Sequence, residues 1–170
     1  MTENPVLRDI AADHPDAAGL MAELEHFQLS LYGHADPAWV DAAEFTPPRG
    51  LFVVAYLHGE PVACGGCHRL LNDTVEIKKM YRTPRLRKRG LGRLILTRLE
   101  RFALQAGSRR IRLESGARNA DALKLYEEAG YHPIPPYMPN RGAEVPPEWW
   151  TGGLRGFRQP LEVSSRSRRD

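Results

Sequence analysis

Apolar residues recur every three or four positions in three segments of the 170-residue chain, and this spacing predicts three amphipathic helices. The first follows His14-Pro15-Asp16 and ends near Gly33, because proline suits a first helical turn and glycine suits a helix end. The second ends near Gly107, and the third begins after the capping residue Asn119 and ends at Gly130. The apolar positions are Ala17, Leu20, Met21, Leu24, Phe27 and Leu31, then Leu91, Ile95, Leu99 and Phe102, then Leu123, Tyr126 and Ala129.

Segments rich in β-branched and aromatic residues predict strands between and around these helices. Tight turns at His58-Gly59-Glu60 and Leu71-Asn72-Asp73 join three of them in an antiparallel meander. The last strand is expected at a sheet edge, because Pro160 has no N–H to donate. The fold class that follows is α/β (α+β), with a mixed, mostly antiparallel central sheet flanked by helices. The predicted strands are Val6–Ile10, Leu51–Leu57, Pro61–Leu70, Thr74–Tyr81, Arg110–Glu114, Tyr131–Ile134 and Leu154–Val163.

Length and composition are those of a single domain over residues 1–163, followed by a polar tail, residues 164–170, that we expect to be disordered. Hydrophobic residues make up 42% of the chain and charged residues 26%, which is ordinary for a globular protein. No apolar stretch is long enough for a membrane span, and residues 1–5 do not resemble a signal peptide. The cytoplasm is therefore the expected location, and no membrane partner is expected.

Basic residues are concentrated in one short segment. The formal net charge is +3, yet residues 78–93 carry eight basic and no acidic side chains, so the rest of the chain carries +3 less +8, or −5. Nucleic-acid binders usually spread their positive charge over a whole face. A single basic segment instead indicates a compact anionic ligand such as a phosphate-bearing cofactor, and nucleic acid is not an expected partner.

The stretch from Thr74 to Gly92 is the most informative, because a strand leads through a basic turn, Arg87 to Gly92, into a helix. The first amides of a helix lack intrahelical partners, and the helix dipole adds a partial positive charge there. Glycines let a phosphate approach those amides, and arginines add charged hydrogen bonds. The spacing excludes a P-loop and a dinucleotide-binding G-x-G-x-x-G loop. A solvated basic turn is the alternative interpretation.

The pattern R-x-x-G-x-G after such a strand resembles the acetyl-CoA motif of the GNAT superfamily of N-acyltransferases. Two further segments support the resemblance. Glu76 to Arg82 is similar to the family's fourth strand, and Asn119 to Tyr131 is similar to its later helix-and-strand motif. The resemblance covers about residues 6–137, and the motifs together are far more specific than either alone.

The resemblance implies a site for acetyl-CoA as co-substrate, with no metal. Backbone groups around Met80 would bind pantetheine, the basic turn would hold the pyrophosphate, and Asn119 would contact the pantetheine or phosphate arm. Tyr126 stands where the family often has a general acid, and Glu76 where some members have a general base. The residues implied to hold acetyl-CoA are Met80, Tyr81, Arg82, Arg87, Lys88, Arg89, Gly90, Leu91, Gly92, Arg93 and Asn119.

Each of these side chains also has a simpler interpretation. Glu76 can be an outward-facing strand residue, Tyr126 a core ring, and Asn119 only a helix cap. Regular strand alternation places Glu76 on a polar face of its strand, and such a face must line solvent or a cleft. The members of that face are Glu76, Lys78, Met80 and Arg82, with Val75, Ile77 and Tyr81 on the other face.

The expected function is transfer of an acetyl group from acetyl-CoA to a primary amine by direct attack. A small-molecule amine is the first choice of acceptor. A protein acetyltransferase acting on lysine or an N-terminus, and a CoA-binding regulator without catalysis, are the alternatives. A homodimer is possible. Tyr32, Trp39 and Phe45 are candidates for a variable pocket wall, and His34 and His68 are candidates for pocket or surface residues.

Cys64-Gly65-Gly66-Cys67-His68 spells the haem-attachment string C-x-x-C-H. We do not expect haem or metal there, because a strand would point Cys64 and Cys67 to opposite faces. Gly65-Gly66 is better explained by a bulge or a close backbone approach. Six prolines over residues 133–147 predict a long loop, and Trp149-Trp150 is expected to pack against it.

Overall fold

The computed structural model describes residues 3–35, 40–71, 73–116, 118–134 and 154–158. Three helices and seven strands lie within these ranges. The helices are α1 (Pro15–Tyr32), α2 (Leu91–Gln105) and α3 (Ala120–Glu128). The strands are β1 (Val6–Asp9), β2 (Gly50–Leu57), β3 (Glu60–Leu71), β4 (Thr74–Arg82), β5 (Arg110–Ser115), β6 (His132–Pro133) and β7 (Leu154–Arg158).

The described strands form one sheet in the order β1-β2-β3-β4-β5-β7-β6. All neighbouring pairs are antiparallel except β4 and β5, which run parallel. The predicted mixed, mostly antiparallel sheet flanked by helices is therefore confirmed. Among the helices of the described ranges, none combines the length and apolar character that a bilayer span requires.

Local signals place the helix boundaries where the sequence predicts them. The His14 side chain accepts a hydrogen bond from the Asp16 amide at 3.1 Å, and α1 ends at Gly33 with φ 78°. Asn119 caps α3 by accepting from the Ala122 amide at 3.3 Å. Gly90, with φ 71°, precedes α2. Because caps and end glycines act within a few residues, these boundaries are readable from sequence.

Two apolar clusters lie on opposite faces of the sheet. The α2–α3 face packs Ile95 and Leu99 of α2 and Tyr126 of α3 against the strands. The α1 face packs Leu20 and Met21 against residues such as Phe52, Val54 and Tyr56 of β2. Both faces of β2 are buried, and all eight of its residues are in the interior. The central strands are thus held from both sides, which makes them a rigid base for the cleft described below.

A bulge in β4 overturns the predicted strand faces. Lys79 has φ 58°, and the register has Gly66 opposite Lys78 but Cys64 opposite Tyr81, so that Lys79 and Met80 together face Gly65. A Cβ on Gly65 would lie 2.5 Å from the Met80 sulfur. The glycine is therefore required for this approach, as the close-approach interpretation of Gly65-Gly66 anticipates.

The bulge exchanges the faces of the residues that follow it. Met80 packs on the α2–α3 face with Ile77, whereas Tyr81 packs on the α1 face. The prediction that Met80 and Arg82 share the face of Glu76 is wrong, because it assumed uninterrupted alternation. Arg82 accordingly reaches Asp121 of α3.

The last strand is also placed differently from the prediction. β7 lies between β5 and β6, so it is not an edge strand. Its described extent ends at Arg158, two residues before Pro160, and the ladder therefore runs only through residues that can donate an N–H. The predictions for most of the proline-rich loop, for Trp149-Trp150 and for the tail 164–170 lie outside the described residues.

Candidate active site

A cleft opens where β4 and β5 part. Their parallel pairing runs only from Thr74 opposite Arg110 to Ile77 opposite Leu113, although β4 continues to Arg82. The bulge at Lys79 falls at this point of divergence. Two connected spaces result, an outer groove beside α2 and α3 and an inner cleft beside α1 and β5. Met80, Asn119 and Tyr126 line both.

The outer groove has a volume of about 460 Å³ and is lined by the basic turn, the start of α2 and the first turns of α3. Of the residues implied to hold acetyl-CoA, Arg89 alone does not line it. Those that do are Met80, Tyr81, Arg82, Arg87, Lys88, Gly90, Leu91, Gly92, Arg93 and Asn119. Positions separated by almost 40 residues in sequence therefore border one groove.

The main chain of the basic turn presents unused hydrogen-bond donors. Within the described part of the chain, the amides of Gly90 to Arg93 donate to no backbone or side-chain acceptor. Lys88 and Gly90 both have positive φ, 63° and 71°, which bends the chain sharply before α2. These amides stand at the positive end of the helix dipole. The arrangement can bind an oxyanion such as a phosphate.

Asp121 in the first turn of α3 links the two walls of the outer groove. Its Oδ2 lies 2.7 Å from Nη2 of Arg82 and 3.9 Å from Nε of Arg87. Asp121 is not among the site residues expected from the sequence, although an acidic residue two positions after a cap is a usual helix-start signal. An anion entering the groove would share these two arginines with the aspartate.

The inner cleft is lined by both predicted catalytic residues, Glu76 and Tyr126. Residues from α1 and from the end of β5 complete its walls. They include Leu24, Phe27, Gln28 and Tyr32 of α1 and Glu114 and Ser115 of β5. Carboxylate, hydroxyl and amide groups therefore meet in a small space adjoining the outer groove.

Glu76 is buried, with 2% of its surface exposed, so the outward-facing alternative does not hold. Its Oε2 lies 2.8 Å from Nε2 of His68 on the neighbouring strand, directly opposite it in the register. The other ring nitrogen of His68 lies 3.5 Å from a carboxylate oxygen of Glu44. A buried carboxylate with a hydrogen-bond donor can stay ionised and accept a proton.

Tyr126 lies where the two spaces meet. Its ring is 4% exposed and packs edge-on against Tyr131, with ring centres 5.9 Å apart. Burial raises the pKa of its hydroxyl above the usual value, so the group stays protonated at neutral pH. Tyr126 thus both packs in the core and lines the cleft. Asn119 likewise both caps α3 and lines the cleft.

The other residues proposed from the sequence for the pocket do not all lie at the cleft. Tyr32 lines the inner cleft, but Phe45 is buried in the cluster on the α1 face, and Trp39 lies outside the described residues. Cys64 and Cys67 point to opposite faces, as predicted, and both are buried free thiols. Burial raises the pKa of Cys67 to about 12. Over the described ranges, no group of three or more potential metal ligands is found.

Comparison with known proteins decides the family. The model of the acetyltransferase (GNAT) family matches residues 18–131, more than half of the chain. The chain belongs to the GNAT acetyltransferase family. This GNAT protein is therefore an acyltransferase, and the resemblance carried by the basic turn and by α3 is confirmed at the level of the family.

Relatives and solved structures agree with this assignment. An IAA acetyltransferase from Azospirillum brasilense is 31% identical over 128 residues, 71% of this chain and 82% of the relative. The N-acetyltransferase YjgM of Escherichia coli K12 is 28% identical over 141 residues, 78% of this chain and 84% of that protein. The structure of yncA from Salmonella typhimurium, solved with its cofactor acetyl-CoA, superposes with a TM-score of 0.70 at 21% identity, covering 98% of this chain and 100% of that one. At that identity the likeness shows the fold alone.

Proposed function

We propose that this GNAT enzyme transfers an acetyl group from acetyl-CoA to a primary amine of a small molecule, by direct attack of the amine nitrogen on the thioester. The observation that carries the proposal is the joined cleft. Unengaged main-chain amides stand at one end, a buried carboxylate stands at the other, and Tyr126 lies between them.

The outer groove would hold the cofactor. The amides of Gly90 to Arg93 and the side chains of Arg87 and Arg93 supply donors and positive charge for a diphosphate. The main chain of β4 from Met80 to Arg82 has no pairing with β5, so it is available to an extended pantetheine chain. Acetyl-CoA, when bound there, would supply the acetyl group as a thioester.

The inner cleft would hold the acceptor and manage its protons. An amine of ordinary basicity has a pKa of roughly 10.4 and is protonated at neutral pH, so a base must remove a proton before nitrogen can attack. Glu76 would take that proton. The main-chain N–H near Met80 would polarise the thioester carbonyl, and the Tyr126 hydroxyl would protonate the departing sulfur.

The size of the inner cleft favours a small acceptor, because its volume is about 90 Å³. The relative from Azospirillum brasilense carries the name of a small-molecule acetyltransferase, which is consistent with this choice. A protein acceptor is the second hypothesis from the sequence, and the test below includes it. The cytoplasmic location and a homodimer stay predictions from the sequence.

The test is a thiol-release assay with acetyl-CoA and a panel of small amines, amino acids and lysine peptides, run beside a thermal-shift titration. We expect acetyl-CoA to raise the melting temperature by ligand linkage, and small amines to stimulate release of CoA. Turnover with peptides only would redirect the proposal to protein acceptors. Binding without turnover would indicate a regulator, and no shift at millimolar acetyl-CoA would reject the cofactor site.

A further inference from the structure

We propose that His68 is the positioning residue for Glu76, and that Glu44 orients the His68 ring for this task. The inference rests on the proposed function, in which Glu76 is the base. It adds two residues that do not line the inner cleft and that act from behind it.

The three side chains form a line from the cleft to the surface. Nε2 of His68 lies 2.8 Å from Oε2 of Glu76, and Nδ1 lies 3.5 Å from Oε2 of Glu44. The exposed side-chain fractions rise along this line, from 3% for Glu76 through 16% for His68 to 52% for Glu44. The histidine therefore connects an enclosed carboxylate with an exposed one.

The short contact requires a proton between the two groups. An imidazole nitrogen without hydrogen and a carboxylate oxygen are both acceptors, so a separation of 2.8 Å needs a shared proton. With Glu76 ionised, that proton belongs to Nε2 of His68, which donates to Oε2. Glu44 lies beside the opposite ring nitrogen, 3.5 Å from Nδ1, and so helps to fix the orientation of the imidazole.

The backbone and the packing hold this geometry. His68 and Glu76 are directly opposite in the β3–β4 register, where side chains on one face come closest. The Phe45 ring covers the imidazole with ring centres 5.3 Å apart. Glu44 precedes Phe45, so one short segment both covers the ring and supplies its second carboxylate.

The chemistry shows why the orientation matters. A protonated primary amine that becomes an amide loses two hydrogens from nitrogen, one to the CoA sulfur and one to the base. The base must therefore be ionised and correctly aimed at the start of each cycle. A buried carboxylate without a donor is costly to ionise, and one free to rotate loses alignment with the amine. His68 contributes to both needs through its hydrogen bond to Glu76.

The kinetic test compares His68→Leu, His68→Gln and Glu44→Gln with wild type. We expect His68→Leu to lower kcat on the order of 10²-fold, with the KM for acetyl-CoA unchanged, because alignment of the base is lost. His68→Gln should recover most of the loss, since its amide N–H can replace Nε2–H. Glu44→Gln should lower kcat by roughly 3-fold. Equal activity of the leucine and glutamine variants would overturn the proposal.

A double-mutant cycle separates positioning from general damage to the core. If His68 acts through Glu76, His68→Leu has no further effect once Glu76→Gln is present. A purely structural role predicts the same loss in both backgrounds, and that outcome would also overturn the proposal. Melting temperatures of all variants, with and without acetyl-CoA, show whether the fold and the outer groove are intact.

An NMR measurement needs no turnover. Nitrogen-15 spectra of the full chain should show His68 protonated at Nε2, with a signal that moves in Glu76→Gln. An Nε2 without a proton would reject the inference even if acetyl transfer is intact. Wild-type protein that transfers acetyl to no amine would reject the proposed function together with the base role, whereas active wild type with an equally active His68→Leu would reject only the role of His68.

Discussion

The outer groove and the inner cleft are built in opposite ways. The main-chain donors of the outer groove come from one continuous stretch, residues 90–93, and most of its charged side chains are exposed, with 64% of the Arg87 side chain accessible. The inner cleft draws Glu76 from β4, Tyr126 from α3 and further walls from α1 and β5, and its two key side chains are almost fully buried.

The proposed function divides binding and chemistry between these two regions, and the difference in their construction suits that division. A phosphate group can be held by many main-chain donors and exposed charges, each contributing modestly and each screened by salt. Proton transfer needs a single group at a fixed place with a suitable protonation state, which burial and one specific partner provide. Single substitutions should therefore affect the two regions through different steps of the reaction.

The largest effect is expected from Glu76→Gln at the inner cleft. Loss of the proposed base should lower kcat roughly 10²-fold to 10⁴-fold, while acetyl-CoA still raises the melting temperature as in wild type. Steady-state kinetics and thermal shift measure the two quantities separately. Glu60→Gln, at the exposed first residue of β3, is a matched control and should behave as wild type. A Glu76→Gln enzyme with full kcat would remove Glu76 from the chemistry.

A smaller but complementary effect is expected from Gly90→Asp in the outer groove. A carboxylate at φ 71° beside the unengaged amides would repel phosphate, and acetyl-CoA affinity should fall by roughly 100-fold, about 2.7 kcal/mol. Gly107→Asp is a close control, because Gly107 has φ 76°, is equally open and ends α2 instead of starting it. Calorimetric titration with acetyl-CoA measures the affinity of each variant. Equal losses in both variants would mean that backbone strain, and not phosphate repulsion, is responsible.

Tyr126→Phe should have the smallest of the three effects. Removing the proposed acid should lower kcat roughly 10-fold, less than removal of the base, because a thiolate is a tolerable leaving group. Since burial raises the pKa of Tyr126, the wild-type hydroxyl should stay protonated, and its ionisation should cause no loss of activity up to about pH 10. The pH profile of kcat tests this.

The control for this substitution is Tyr131→Phe. Tyr131 packs against Tyr126, and its hydroxyl donates a hydrogen bond to Glu100. Removing that hydroxyl perturbs the same aromatic pair without changing the cleft. A Tyr131→Phe enzyme as impaired as Tyr126→Phe would indicate that the pair matters for packing and not for proton donation.

Much of the fold and of the outer groove follows from local signals. The capping side chains His14 and Asn119, the end glycine Gly33 and the basic turn before α2 act over a few residues, and the structure has the predicted elements at these places. The proposed roles of the individual site residues stay predictions, although Glu76 and Tyr126 do line one cleft.

The predictions that were wrong depended on partners distant in sequence. Met80 changes face because Lys79 enters a bulge opposite Gly65, and Gly65 itself lies close under Ile95 of α2. β7 lies inside the sheet because β6 pairs with it, which no property of residues 154–158 alone reveals. Asp121 becomes part of the groove through Arg82, 39 positions earlier.

The residue order alone determined the helices, the strands, the position of the basic turn and the family, because periodicity, capping and the glycine motif are properties of neighbouring residues. Only the tertiary structure decided which side chains stand behind the catalytic candidates. The contact of His68 with Glu76 and Glu44 exists because strand register and a covering loop bring three separate segments together, and such register is set by the packing of the whole sheet.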